Sequence, residues 1–65
     1  MQVLLNGEPV TTEACTLHEL CAALGLEEAR IATAVNGSFV GTRERASRKL
    51  APADQIEIVA PRQGG

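Results

Sequence analysis

The chain has no tryptophan, no tyrosine and a single phenylalanine, Phe39. Single-stranded nucleic acid is gripped by aromatic platforms on which bases stack, so this lack argues against that ligand. An excess of positive charge is also missing. Six basic residues stand against eight acidic ones, the formal net charge is -2, and no chain-wide field exists to draw in a polyanion. Only two cysteines occur, Cys15 and Cys21, too few for a disulfide scaffold and spaced neither as a CxxC redox pair nor as half of a zinc site. The one histidine, His18, has no partner at a catalytic spacing and reads as a solvated helix residue. No apolar run approaches the roughly 20 residues of a membrane span, and the first residues lack the basic-then-apolar pattern of a secretory signal. The expectation is a soluble, cytoplasmic protein without membrane or nucleic-acid partners.

Length is scarce too. With 65 residues and 45% hydrophobic content, the chain can build one compact domain and not two. A domain of this size buries only about 60% of the surface its unfolded chain exposes, which leaves little volume for an enclosed active-site cavity. Enzymatic chemistry inside the fold is therefore not expected, and no side chain reads as catalytic, cofactor-binding or metal-ligating.

What is present is patterning. Gln2-Val3-Leu4-Leu5 and Glu8-Pro9-Val10-Thr11 flank Asn6-Gly7, a pair that accepts positive φ cheaply, and this predicts a hairpin. Pro9 cannot donate to a ladder, so the second strand belongs at a sheet edge. Thr16-Leu17-His18-Glu19 fits a capping box that starts a helix at Leu17, with the Glu19 carboxylate reaching back to the cap. Leu17, Leu20, Cys21 and Leu24 recur at helical spacing as one apolar stripe, and Gly25 supplies the left-handed cap. Burial on that stripe makes Cys21 a core residue with an inert thiol. Cys15 is placed to staple onto Leu20.

A second hairpin is predicted from Ile31 to Val35, through Asn36-Gly37, to Ser38-Phe39-Val40. Residues 42–49 are polar and largely charged, an exposed loop with room for a helical turn, in which Arg43, Arg45, Arg48 and Lys49 form a basic surface patch. Gln55-Ile56-Glu57-Ile58-Val59 alternates as a half-buried strand, its Ile56 and Ile58 sharing the core face with Val3 and Leu5. The order strand, strand, helix, strand, strand, irregular segment, strand is that of an α+β, ubiquitin-like β-grasp. The expected sheet is mixed and of four to five strands, with the last strand parallel to the first and one main helix on one face.

Ala60-Pro61-Arg62-Gln63-Gly64-Gly65 has neither the apolar content nor the alternation to pack. The chain thus divides into a domain over residues 1–60 and a Gly-Gly tail over residues 61–65. Glycines without Cβ can enter a narrow tunnel. A carboxylate there can be activated on a nucleotide phosphate in another protein and then attacked by sulfur. If the helix covers Val3 and Leu5, then Leu4 and Val59 face the other way near Phe39. Leu4, Phe39 and Val59, with Arg62 of the tail, are the candidate partner-docking residues.

Leu4-Leu5-Asn6-Gly7-Glu8, Thr16-Leu17-His18-Glu19-Leu20, Ala34-Val35-Asn36-Gly37, Leu50 with Asp54 to Val59, and Gly64-Gly65 together resemble the ThiS family of sulfur carriers. One departure is visible: Ala53-Asp54 stands where the family often has Gly-Asp. The resemblance implies that Gly65, with Gly64 as its neighbour, is adenylated by a ThiF-type, E1-like adenylyltransferase that consumes ATP. The glycine is then thiocarboxylated with sulfur from a cysteine desulfurase or other donor. The acceptor it implies is a ThiG-type thiazole synthase of thiamine biosynthesis, the chain itself being a co-substrate rather than an enzyme. The alternatives are a carrier for molybdopterin, tRNA thiolation or another metabolite, a ubiquitin-like protein modifier, and an interaction domain without C-terminal chemistry.

Overall fold

The structure is a computed structural model and describes residues 1–26 and 30–60. Strands β1 (Gln2–Leu5) and β2 (Glu8–Thr11) precede helix α1 (Leu17–Ala23). Strands β3 (Ala32–Val35) and β4 (Ser38–Val40), a single 3-10 turn (Thr42–Glu44) and β5 (Gln55–Val59) follow. The five strands form one sheet in the order β2-β1-β5-β3-β4. The last strand therefore enters between the first and the third, parallel to β1 and antiparallel to β3, as the β-grasp reading requires.

Both Asn-Gly pairs make the tight turns expected of them. Asn6 and Asn36 sit at φ 51 and 52, followed by Gly7 and Gly37 at φ 86 and 84, the left-handed pair that matches the twist of a two-residue hairpin. Pro9 lies opposite Leu4 on the edge strand β2, where its missing N–H costs no ladder bond.

The helix begins where the capping box places it. Thr16 Oγ1 accepts from the Glu19 amide at 3.1 Å, but Glu19 Oε1 accepts from the amide of Cys15, one residue before the cap, at 2.8 Å. The displacement has a cause: Thr16 is held in a bridge to Lys49, Leu50 donates to the Cys15 carbonyl, and Leu17 and His18 donate to the carbonyls of Arg48 and Arg45. The helix N-terminus is thus closed by the backbone of residues 45–50 as well as by its own side chains. At the other end, Gly25 at φ 76 donates to Ala22 and Leu26 to Cys21, a Schellman closure.

Val3, Leu17, Leu20, Cys21, Val35, Val40, Leu50 and Ile56 form the core, with Leu5, Val10, Ala14, Leu26, Ile31 and Ile58 packed around it. Three expectations require correction. Leu24 is 42% exposed and serves as the helix cap, because the helix ends at Ala23 and its stripe ends with it. Cys15 is exposed, so it forms no buried staple. Arg45 is not part of a surface patch but is 6% exposed. Its Nε donates to Thr33 Oγ1 at 3.0 Å and its Nη2 to the Ile31 carbonyl at 2.8 Å, while Thr33 Oγ1 donates to the Val40 carbonyl at 2.6 Å. A buried guanidinium is tolerated when its donors are satisfied, and here it fastens the polar segment onto β3.

Candidate functional site

The region of interest is the end of β5, from which the chain leaves the sheet. Residues of a strand direct their backbone groups alternately to the two neighbouring strands. Asn36 N donates to the Gln55 carbonyl at 2.7 Å on the β3 side, and Asn6 N donates to the Ile56 carbonyl at 2.8 Å on the β1 side. Ile58 consequently faces β1, yet β1 ends at Leu5 and its chain turns away at Asn6. The Asn6 carboxamide takes the place of the missing strand. Its Oδ1 accepts from Ile58 N at 3.0 Å and its Nδ2 donates to Ile58 O at 3.2 Å. On the opposite edge Val59 is in register with Ala32.

The start of β5 is held by the other turn asparagine. Asn36 Nδ2 donates to Asp54 Oδ1 at 3.0 Å, Asn36 Oδ1 accepts from Gln55 N at 2.9 Å, and Asp54 Oδ2 accepts from Ala51 N at 2.9 Å. The Ala51 amide, then the Asn36 amide, hold the Asp54 carboxyl below its ordinary value, helped by the charge of Arg48 and opposed by burial. Ala53, which stands where the ThiS pattern often has glycine, adopts φ 69, and its amide donates to the Gln2 carbonyl. The turn therefore keeps a glycine-type backbone without a glycine.

Leu4, Phe39 and Val59 lie on the sheet face away from the helix, as alternation from Val3, Val40 and Ile56 dictates. Phe39 is 75% exposed and Val59 62%, whereas Leu4 is half-buried. Ala34 lies between Phe39 and Glu57, and Ala32 lies beside Val59, so Phe39 and Val59 stand diagonally across a strip of small side chains at roughly 12 Å, two strand spacings over and two residues along. Leu4 is separated from them by Gln55 and Glu57 of β5. Arg62, Gly64 and Gly65 lie outside the described residues.

On the helix side, Leu24, Leu26, Ile31, Leu5 and Ile58 line an apolar groove of about 350 Å³ that reaches Ala60. Burial pushes the Cys21 thiol above its ordinary value, against the lowering effect of Arg45. Such a thiol is a poor nucleophile. Among the described residues no cluster of three or more His, Cys, Asp or Glu is placed to hold a metal. Among the described residues no helix is long and apolar enough to cross a membrane.

Sequence reasoning did not find the side-chain roles of Asn6, Asn36, Arg45 and Asp54. The Asn-Gly pairs announced turns, and nothing local showed what their carboxamides would meet: Asn6 and Ile58 are 52 residues apart.

Fold and site together define a ubiquitin-like β-grasp domain that brings its last strand through the centre of the sheet. The chain belongs to the ThiS family, whose model matches residues 3–65. It is similar to the sulfur carrier protein ThiS of Thermus thermophilus, with 41% identity over 64 residues, covering 97% of this chain and 98% of that protein. The crystal structure of the thiamine biosynthesis protein ThiS from Geobacter metallireducens superposes with a TM-score of 0.82 at 23% identity, covering all of both chains. The solution structure of a thiamine biosynthesis protein from the same organism gives 0.80 at 22% identity, over all of this chain and 88% of that one. These two likenesses carry the fold.

Proposed function

We propose that the protein is a sulfur carrier whose working group is the C-terminal carboxylate of Gly65, presented on an arm formed by residues 61–65. The observation that carries this reading is the extent of the family match, which runs through the terminal Gly64-Gly65, together with 41% identity to a sulfur carrier over nearly the whole of both chains.

The chemistry asks little of the fold. A Gly65 carboxylate oxygen attacks the α-phosphate of ATP in an E1-like adenylyltransferase, pyrophosphate leaves, and the acyl carbon becomes electrophilic. A sulfur nucleophile then displaces AMP: sulfide gives the thiocarboxylate directly, whereas a persulfide from a cysteine desulfurase gives an acyl disulfide, which a second thiol cleaves to release the thiocarboxylate and form a disulfide with the donor cysteine. Absence of Cβ at Gly64 and Gly65 keeps the approach to that carbon open. The acceptor in this reading is a thiazole synthase of thiamine biosynthesis. The exposed Phe39 and Val59, with Leu4 farther along the same sheet face and Arg62 on the arm, are the proposed contacts for the adenylating partner. The protein then acts as a co-substrate, holds no cofactor, and works in the cytoplasm.

The test is to incubate the purified chain with ATP, a ThiF-type adenylyltransferase and a sulfur donor, and to measure the intact mass. Replacement of one oxygen by sulfur, lost when Gly65 is deleted, is the expected result. No mass change, with an enzyme active on its own carrier, overturns the proposal.

A further inference from the structure

We infer that Asn6 is the positioning residue that sets where the reactive arm begins, an inference that rests on the carrier reading above. Ile58 is the last residue of β5 whose backbone groups face β1, and β1 supplies no backbone opposite them because the chain turns at Asn6. The Asn6 carboxamide meets both groups, at 3.0 Å and 3.2 Å. One planar amide thus stands in for a carbonyl and an N–H of a strand that is no longer there. It prolongs the parallel pairing by one step beyond Leu5↔Ile56.

The consequence concerns geometry at the far end of the chain. With Ile58 held from one side and Val59 in register with Ala32 on the other, β5 ends at Val59 and the segment that carries Gly65 follows from Ala60. Residues 60–65 then span at most about 20 Å when extended. Without the clamp, Ile58 is held only through its β3 neighbours, and the root of the arm loosens inward by one or two residues. A partner must then order those residues each time it draws the carboxylate into its site, at a cost in conformational entropy. Asn6 therefore acts through Ile58 on the placing of Gly65 and touches no reacting atom.

The variant that isolates the clamp is Asn6→Gly. Glycine populates the φ 51 that Asn6 adopts, so the turn is kept and only the carboxamide is lost. Asn36→Gly makes the same chemical change in the other hairpin, where it loosens the start of β5 and leaves Ile58 alone. Two measurements are made on the wild type and both variants. One is amide hydrogen exchange at Ile58 and Val59, and the other is steady-state adenylation by a ThiF-type enzyme with the carrier as varied substrate. In Asn6→Gly the Ile58 amide is expected to lose about tenfold in protection, on the order of 1.4 kcal/mol for two solvent-exposed hydrogen bonds. KM for the carrier rises severalfold with kcat nearly unchanged. Asn36→Gly, at a comparable loss of global stability, should leave both Ile58 exchange and KM near wild type.

Unchanged exchange at Ile58 overturns the clamp. Faster exchange with unchanged KM, or an equal KM rise in Asn36→Gly, overturns the positioning role. If the wild type is not adenylated at all, the carrier reading fails instead, and the exchange data still decide whether Asn6 holds Ile58.

Discussion

Asn36 and Asp54 join the two turns that flank the entry of β5: Nδ2 of the first donates to Oδ1 of the second at 3.0 Å, across 18 residues of sequence. The bond matters because Asp54 is buried, and its other oxygen accepts from the Ala51 amide. A carboxylate accepting such donors is favoured in its charged form.

Acid stability follows from this. The folded state holds the Asp54 carboxyl below its ordinary value of 3.8, so the unfolded chain binds the proton more readily. The stabilisation is fully present above that value and is lost as pH falls through the depressed folded value. Urea titrations between neutral pH and pH 2 should show stability falling below about pH 4. In Asp54→Asn that part of the fall should disappear, with a lower plateau at neutral pH. An unchanged acid limb in the variant would refute the assignment.

Ala53 offers a gain. A non-glycine residue in the left-handed region costs about 1–2 kcal/mol, and Ala53 sits there at φ 69. Ala53→Gly relieves this while making the unfolded chain somewhat freer, for a net stabilisation of about 0.5–1 kcal/mol. Thermal unfolding should show a midpoint higher by several degrees, about 4–8 °C per kcal/mol in a domain this small. No rise would mean the backbone there is not strained.

Two arginines close in sequence should behave in opposite ways. Arg45 is buried and serves Thr33 and Ile31, so Arg45→Ala removes two charge-assisted bonds and packed methylenes, for a loss of about 3 kcal/mol. Arg43 is exposed, and Arg43→Glu should stay within about 0.5 kcal/mol of wild type. Denaturant unfolding of the pair checks both.

Phe39 should matter to binding and not to folding. At 75% exposure its removal costs the fold little, and Phe39→Ser is expected to unfold within about 0.5 kcal/mol of wild type. An aromatic anchor at an interface is worth about 2 kcal/mol, so affinity for the adenylating partner should fall by more than tenfold. Calorimetric titration showing equal affinity would remove Phe39 from the docking surface.

The two thiols should separate by accessibility. Cys15 is exposed and Cys21 buried with a raised pKa, so a small alkylating reagent should modify one site in the folded protein and both in denaturant. Rapid double modification of the native chain would contradict the packing of Cys21.

Much of this molecule was open to reading along the chain, because the devices involved are short-range. Asn-Gly selects a two-residue turn, a Thr and a Glu three apart start a helix, and alternation in residues 55–59 marks a strand with one dry face. The charged stretch around Arg45 misled for a related reason. Local composition calls such a stretch solvated, and only the carbonyl of Ile31 and the hydroxyl of Thr33 make a dry guanidinium tolerable. Leu24 misled because period continues past the residue at which hydrogen bonding stops.

By itself, then, the sequence determined the local elements, the β-grasp order and the family, since each depends on residues a few positions apart or on a whole-chain signature. Tertiary structure alone decided what the turn asparagines do with their side chains, which arginine is buried and how β5 is held at both ends. Those outcomes depend on groups 12 to 52 residues apart, whose meeting is a property of the sheet order β2-β1-β5-β3-β4 and not of any stretch of chain.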